Sequence, residues 1–128
     1  MPRQPSGRPT DSELAILRVL WQHGPSTVRA VYDQLQLAKP TGYTTVLKIL
    51  QIMFAKRLVT RDESSQTHIY AAAAAEKQTQ RLLLKDLADR AFGGSARRLI
   101  LGALSVKKIS PAELAEIRAL LSKLEDDE

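Results

Sequence analysis

The chain has 128 residues, a length that suits one compact domain or a small domain with an appended oligomerisation element. Its 44% hydrophobic and 26% charged residues are typical of a soluble globular protein and exclude a disordered or collagen-like chain. The absence of cysteine excludes disulfides and thiolate metal cages, and two histidines, His23 and His68, offer little for a transition-metal site. We therefore predict no metal and no cofactor.

Basic residues are concentrated in the first half of the chain. Residues 1–61 contain nine Lys or Arg and three acidic residues, whereas residues 62–128 contain ten and eleven, which gives net charges of +6 and −1. A basic half beside a nearly neutral half indicates that the first half meets a polyanion. A chance asymmetry of solvated charge is the alternative interpretation.

The N-terminal residues predict an arm followed by two helices. Residues 1–9, with three prolines and a glycine, predict a flexible arm that lacks the apolar stretch of a secretory signal, which favours a cytoplasmic location. Thr10-Asp11-Ser12-Glu13 is a capping box, in which the side chains of the first and last residues each bond the other's backbone N–H. Gly24-Pro25 ends this first helix, and Ser26 or Thr27 caps a second.

A third helix is predicted from about Tyr43 to Ala55. At about 100° per residue, its inward stripe is Val46, Leu50 and Met53. The opposite face has small and polar side chains with one cation and no acid, which suits a helix that enters a DNA major groove. Its residues are Thr44, Lys48 and Gln51, with Ala55 beyond them and Thr45 and Ile52 on one edge. An ordinary solvated face is the alternative.

A β-hairpin is predicted after the third helix. Leu58-Val59-Thr60-Arg61 and Thr67-His68-Ile69-Tyr70 are rich in strand-forming residues and flank a polar stretch at residues 62–66. Three helices followed by a two-stranded hairpin are typical of a winged helix-turn-helix, in which the second and third helices form the DNA-reading pair. The predicted fold class is therefore mainly α, with a winged helix-turn-helix domain at residues 10–72.

The remaining residues, 73–128, predict a helical dimerisation domain. Gly93-Gly94 ends its first helix, Ser95 caps the second, and Ser110-Pro111-Ala112-Glu113 is a capping box that opens the last. These helices carry apolar stripes but little aromatic bulk, which favours completion by a second copy. Packing onto the winged domain within one chain is the alternative. The predicted dimerisation residues are Leu83, Leu87, Leu99, Leu114, Ile117, Leu121 and Leu124.

Eight short segments between Asp11 and Leu114 form an ordered set whose spacing is specific as a whole. They are Asp11-Ser12-Glu13, Leu17-Arg18-Val19-Leu20-Trp21, Gly24-Pro25-Ser26-Thr27-Val28-Arg29, Gly42-Tyr43-Thr44-Thr45-Val46-Leu47, Lys56-Arg57-Leu58-Val59, His68-Ile69-Tyr70, Phe92-Gly93-Gly94, and Ile109-Ser110-Pro111 with Glu113-Leu114. In this order they resemble the BlaI/MecI/CopY family of bacterial repressors, also called penicillinase repressors.

The resemblance implies a homodimer that represses nearby genes from palindromic operators. The winged domain would bind double-stranded DNA, and the C-terminal helices would form the dimer interface. In members of established mechanism, repression is often relieved by proteolysis through a membrane-bound sensor metalloprotease encoded alongside, which the resemblance implies as a further partner. No small-molecule substrate is implied.

The sequence departs from the family pattern in three places. Without cysteine, it cannot sense copper through C-terminal thiolates, as one branch of the family does. Gly102-Ala103 stands where the antibiotic-responsive members have a scissile Asn-Phe pair, so cleavage at that bond does not follow from the resemblance. Ile52 stands where many members have Arg, and Arg57 where they have Gly; Ile52 could contact a thymine methyl group.

Base-edge contacts are expected from Thr44, Thr45, Lys48 and Gln51, which share the groove-facing side of the third helix. Cations, hydroxyls and a helix N-terminus position a duplex through its phosphates without reading its sequence. The predicted backbone contacts are Ser26, Thr27, Arg29, Tyr43, Lys56, Arg61 and His68. Trp21 is interpreted as a core anchor rather than a base-stacking platform, because it shares the apolar face of the first helix.

Catalysis is not predicted, because the acidic residues 125–128 are typical of a solvated chain end and the two histidines suggest no Ser-His-Asp arrangement. Two binding functions are alternatives to a repressor. A winged-helix adaptor would bind protein, and its association with DNA would be weak or insensitive to salt. An RNA binder would need exposed aromatic and basic clusters, which the sequence lacks.

Overall fold

A computed structural model describes residues 8–127, and these residues form six helices and three strands. The elements are α1 (Asp11–His23), β1 (Ser26–Thr27), α2 (Val28–Ala38), α3 (Tyr43–Ala55), β2 (Val59–Asp62), β3 (Ile69–Ala72), α4 (Glu76–Ala91), α5 (Ala96–Val106) and α6 (Pro111–Asp126). Apart from Arg8 and Pro9, the predicted arm lies outside the described residues. Within residues 8–127 no helix is both long and apolar enough to cross a membrane.

Both predicted capping boxes are confirmed. The Thr10 hydroxyl accepts a hydrogen bond from the Glu13 N–H at 3.2 Å, and the Glu13 carboxylate accepts one from the Thr10 N–H at 2.9 Å. The same reciprocal pair forms at the start of α6, between Ser110 and Glu113, at 3.1 and 2.9 Å. Each box satisfies two backbone donors that a helix start leaves without a partner.

In the turn between α1 and α2, the two predicted cap residues, Ser26 and Thr27, make different hydrogen bonds. Gly24 ends α1 with a φ of 81°, a conformation that glycine adopts without a side-chain clash. Thr27 is the cap of α2, and its hydroxyl accepts from the Ala30 N–H at 3.1 Å. Ser26 is buried, and its hydroxyl donates to the Gly24 carbonyl at 2.8 Å. The prediction that one of these two residues caps α2 is thus resolved in favour of Thr27.

The end of α3 is a Schellman motif. The N–H of Leu58 donates to the Met53 carbonyl at 2.9 Å, and the N–H of Arg57 donates to the Phe54 carbonyl at 3.1 Å. Arg57 occupies the position where this motif usually has glycine, with a φ of 64°. The helix therefore stops where predicted, at Ala55, and the left-handed residue follows two positions later.

The sheet has three antiparallel strands, one more than the predicted hairpin. β3 is the central strand, in the order β1-β3-β2. Tyr70 on β3 lies opposite Arg61 on β2 and opposite Ser26 on β1. The extra strand connects the start of α2 to the hairpin, so the wing and the helix-turn-helix share backbone hydrogen bonds.

The chain divides into two compact units, one up to Leu84 and one from Lys85 onward, with the division inside α4. The first, the winged unit, has its core where α1, α2, α3 and the sheet meet. Trp21 packs against this core, and its indole N–H donates to the Ala74 carbonyl at 2.9 Å, which confirms its role as an anchor. The buried members of the core are Ile16, Leu17, Leu20, Val28, Val31, Val46, Leu50, Met53, Val59 and Tyr70.

The second, the C-terminal unit, contains the end of α4 together with α5 and α6. Gly93 and Gly94 both have positive φ and make the turn between α4 and α5. Among its described residues, Ala88 is the one buried apolar residue, with 9% of its surface exposed. The division between the two units falls within α4, later than the predicted domain boundary between residues 72 and 73. That boundary stays a prediction.

Candidate nucleic-acid interface

The exposed side of α3 carries all four predicted base-contact residues. Val46, Leu50 and Met53 have no exposed surface, as the predicted inward stripe requires. On the other side the structure exposes six residues, which we call the reading face. They are Thr44, Thr45, Lys48, Gln51, Ile52 and Ala55. The amphipathic arrangement predicted for this helix is therefore confirmed.

The reading face offers donors, acceptors and a positive charge without any negative one. α3 contains no acidic residue, so Lys48 has no carboxylate on its own helix. α3 begins after Gly42, which has no side chain to cap the helix. The first N–H groups of α3 therefore have no hydroxyl or carboxylate cap. Both features favour an anionic partner over a basic or apolar one.

A cleft of about 350 Å³ lies beside the reading face, between the start of α2, the side of α3 and the wing. Gln51 is the reading-face residue that lines it. Five of the seven predicted backbone-contact residues line the same cleft, namely Thr27, Arg29, Tyr43, Arg61 and His68. Residues that are up to 41 positions apart in the sequence are thus brought together by the pairing of the wing with β1.

Aromatic contacts fix the α2 side of this cleft. The rings of Tyr32 and Tyr43 meet edge to face with centroids 5.5 Å apart, which joins α2 to the start of α3. The Arg29 guanidinium lies 5.7 Å from the centre of the Tyr32 ring and pairs with Asp33 at 3.3 Å on the exposed surface of α2. The cation is therefore held at the rim of the cleft by a weak, solvent-exposed set of contacts.

Arg61 is held more firmly than Arg29, by neighbours that sequence reasoning did not assign to the site. Its guanidinium lies 4.0 Å from the centre of the Phe54 ring, and its Nε donates to the Glu63 carboxylate at 2.6 Å. A side-chain hydrogen bond with Tyr70, followed by one with Glu63, raises the pKa of Arg61 above its ordinary value. Phe54 and Glu63 thus orient a cation at the base of the wing, a role visible only after the hairpin folds against α3.

Two predicted backbone-contact residues lie outside the cleft. Ser26 is buried with its hydroxyl committed to Gly24. Lys56 has its ammonium 2.8 and 3.0 Å from the two carboxylate oxygens of Glu13, which is only 3% exposed. Both groups already have internal partners, and their contact with the DNA backbone stays a prediction.

The predicted dimerisation residues lie on three helices. Leu87, Leu121 and Leu124 are exposed in the single chain. The other four, Leu83, Leu99, Leu114 and Ile117, are half-buried. Their role in dimerisation stays a prediction.

Comparison with known sequences gives one family and several relatives. A family model described as penicillinase repressor matches residues 9–123. The chain is similar to the transcriptional regulator BlaI of Mycobacterium tuberculosis (strain CDC 1551 / Oshkosh), at 29% identity over 116 residues, covering 90% of this chain and 83% of that protein. It is also similar to the methicillin resistance regulatory protein MecI of Staphylococcus aureus (strain N315), at 17% identity over 114 residues, covering 89% and 93%.

Comparison with solved structures gives a fold match. A MarR family protein from Bacillus stearothermophilus superposes with a TM-score of 0.51 and 18% identity, covering 93% of this chain and 74% of that one. At this identity the likeness concerns the fold alone. Together with the three helices and the wing described above, it confirms the predicted winged helix-turn-helix class.

Proposed function

The chain belongs to the penicillinase repressor family, a family of transcriptional repressors, and on this premise we propose that it represses transcription as a homodimer bound to a palindromic DNA operator. The observation that carries the proposal is the reading face of α3, which is exposed, lacks acidic residues and adjoins a cleft with two arginines. A helix of this kind fits the major groove of B-DNA.

In this proposal α3 reads bases and its surroundings hold the phosphates. Thr44, Thr45, Lys48 and Gln51 contact base edges, where lysine favours the O6 and N7 acceptors of guanine and glutamine the N6 and N7 pair of adenine. The residues of the cleft contact the sugar-phosphate backbone and fix the register of the helix on the duplex. They are Thr27, Arg29, Tyr43, Arg61 and His68.

The second half of the proposal is the homodimer. Several large apolar side chains of the C-terminal unit are exposed in the single chain, and a second copy is the occupant that would bury them symmetrically. The two copies of α3 would then enter successive major grooves about 34 to 36 Å apart and block access of the polymerase. A palindromic operator follows from the twofold symmetry of such a dimer.

Binding-site selection from a pool of random DNA duplexes tests the proposal, followed by fluorescence-anisotropy titration of the selected duplex beside a scrambled one at two salt concentrations. We expect preference for the selected duplex by about 10³ or more, and affinity that falls with salt. We also expect the selected sequence to be palindromic. Equal, weak binding to both duplexes would contradict specific repression and favour an adaptor that binds protein.

Lys48→Glu tests the assignment of the reading face. Reversal of this charge removes a base contact and adds repulsion from the phosphates, so we expect operator affinity to fall by about 100-fold. Dimerisation, measured by sedimentation, should be unchanged. Lys77→Glu is the matched control, because Lys77 is an exposed cation of α4 outside both the reading face and the cleft. Unchanged affinity of Lys48→Glu would show that α3 is not the reading helix.

A further inference from the structure

Ile52 is the one large apolar side chain on the reading face. It is 45% exposed, although the inward stripe of the same helix is fully buried. Helical spacing places it one turn after Lys48 and two turns after Thr45, along one edge of the face. The opposite edge of α3, through Tyr43, Leu47 and Gln51, borders the cleft beside the wing. Ile52 therefore belongs to the side of the reading face that lies away from the cleft.

The chemistry of isoleucine narrows what this side chain can recognise. It has no donor or acceptor, so it cannot discriminate between bases by hydrogen bonds. The major groove displays one apolar group, the 5-methyl of thymine, which small apolar side chains contact directly. Isoleucine is also branched at Cβ and keeps few side-chain conformations in a helix, so its methyl groups have a defined position.

We propose that Ile52 is a specificity-determining residue that contacts the 5-methyl group of one thymine in each operator half-site. The inference rests on the proposed function, because it requires α3 to lie in a major groove. Neighbours one turn apart on a helix face have Cβ atoms about 5–6 Å apart, and base steps are about 3.4 Å. The thymine is thus within about two base-pair steps of the base that Lys48 contacts.

Deoxyuridine substitution tests this contact, since deoxyuridine differs from thymidine only by the missing methyl group. The probe is the duplex obtained by selection with the wild-type protein. Each thymine of both half-sites is replaced in turn, with one replacement per duplex. For one position per half-site we expect the affinity of the wild-type protein to fall about fourfold, the effect of leaving one methyl-sized contact unmade. All other replacements should change affinity less.

The variant Ile52→Ala completes the test. Alanine favours the helix and Ile52 is not in the core, so the variant should fold, which circular dichroism checks. On the unmodified duplex Ile52→Ala should bind about fourfold more weakly per half-site, and replacement of the critical thymine should then have no further effect. Leu37→Ala is the control, because Leu37 is an 81% exposed apolar residue of α2 and should leave the thymine effect intact.

Two results would overturn the inference while leaving the proposed function in place. One is that the wild-type protein binds its selected duplex specifically yet tolerates every thymine replacement. The other is that Ile52→Ala retains the same sensitivity at the critical position as the wild-type protein. If the wild-type protein does not distinguish the selected duplex from the scrambled one, the proposed function fails, and the inference fails with it.

Discussion

The winged unit and the C-terminal unit differ in how far their apolar side chains are buried. In the winged unit, Ile16 and Leu50 have no exposed surface, whereas in the C-terminal unit Leu101 and Leu124 are 53% and 55% exposed. One chain therefore completes the first core and leaves apolar surface open in the second. We interpret the winged unit as a fold that is stable through its own packing and the C-terminal unit as one that depends on a second copy.

The largest expected effect is that of Leu121→Asp, which attacks the C-terminal side of this comparison. Leu121 is exposed on α6, and a carboxylate buried between two copies without a partner is strongly unfavourable. We expect sedimentation equilibrium to show a monomer. Binding to a full palindrome should fall by about 10²-fold to 10⁴-fold, with half-site binding little changed, because the two reading helices are no longer linked.

Ser122→Asp is the matched control for this variant. It adds the same charge one residue later, on the polar side of α6 that also carries Arg118 and Glu125, so the dimer should persist. Sedimentation of Leu121→Asp as an intact dimer would contradict both the proposed interface and the interpretation of the C-terminal unit.

Leu50→Ala sharpens the comparison from the winged side. Leu50 has no exposed surface, and truncation of such a leucine leaves a cavity, so we expect a loss of about 2–5 kcal/mol in the free energy of unfolding. Trp21 is the single tryptophan of the chain and lies in the winged unit, so its fluorescence in urea follows this unit. The measurement is best made in the Leu121→Asp background, where dimerisation no longer adds to stability.

The control for Leu50→Ala is Leu101→Ala in α5. Leu101 is exposed, and its truncation should leave the Trp21 transition within about 0.5 kcal/mol. Equal shifts for the two variants would show that the two units unfold together, and the division between them would then have no thermodynamic meaning.

A smaller effect is expected at the ion pair of Glu13 with Lys56 inside the winged unit. Glu13→Gln leaves the Lys56 ammonium without its counter-charge. Because the Lys56 side chain is 31% exposed, we expect the free energy of unfolding to fall by about 1–2 kcal/mol, less than for a fully buried pair. Lys56→Met in addition should restore part of the loss. Strictly additive losses in urea unfolding would show that the two groups are not coupled.

The smallest effect is expected at Arg57, and it has the opposite sign. Arg57 has a φ of 64° in the Schellman motif, where a non-glycine residue is strained, so Arg57→Gly should stabilise the winged unit by about 0.5–1 kcal/mol. Ala55→Gly is the control, because Ala55 is the last residue of α3 and glycine is a weaker helix former than alanine, so the same change there should destabilise the unit. Thermal unfolding compares the two, and destabilisation by both would contradict the strain.

Features that depend on neighbouring positions in the chain were predictable from the sequence. The capping boxes of Thr10 and Ser110 need only two residues at a spacing of three, and both form as predicted. The bounds of α3 and its inward stripe follow from helical periodicity in the same way. The family was also predicted correctly, because it is carried by the order of many short segments rather than by one motif.

Features that depend on distant partners were not predictable. Lys56 was predicted to contact phosphate, but its ammonium bonds Glu13, which lies 43 positions earlier in the chain. Ser26 was assigned the same role, and it is buried because β1 pairs with β3. A strand of two residues has no alternating pattern, so β1 itself carries no signal in the sequence. In each case the decisive contact is made only once the chain has folded.

The bonds made by Glu13 link the start of α1 to the end of α3. One carboxylate accepts the N–H of Thr10 and also holds the ammonium of Lys56 at the C-terminal end of α3. The first turn of α1 and the last turn of α3 are therefore anchored to a common point. Shortening the chain past Thr10 would loosen α3 at its C-terminal end, so the alignment of α3 depends on a residue that precedes every helix of the described chain.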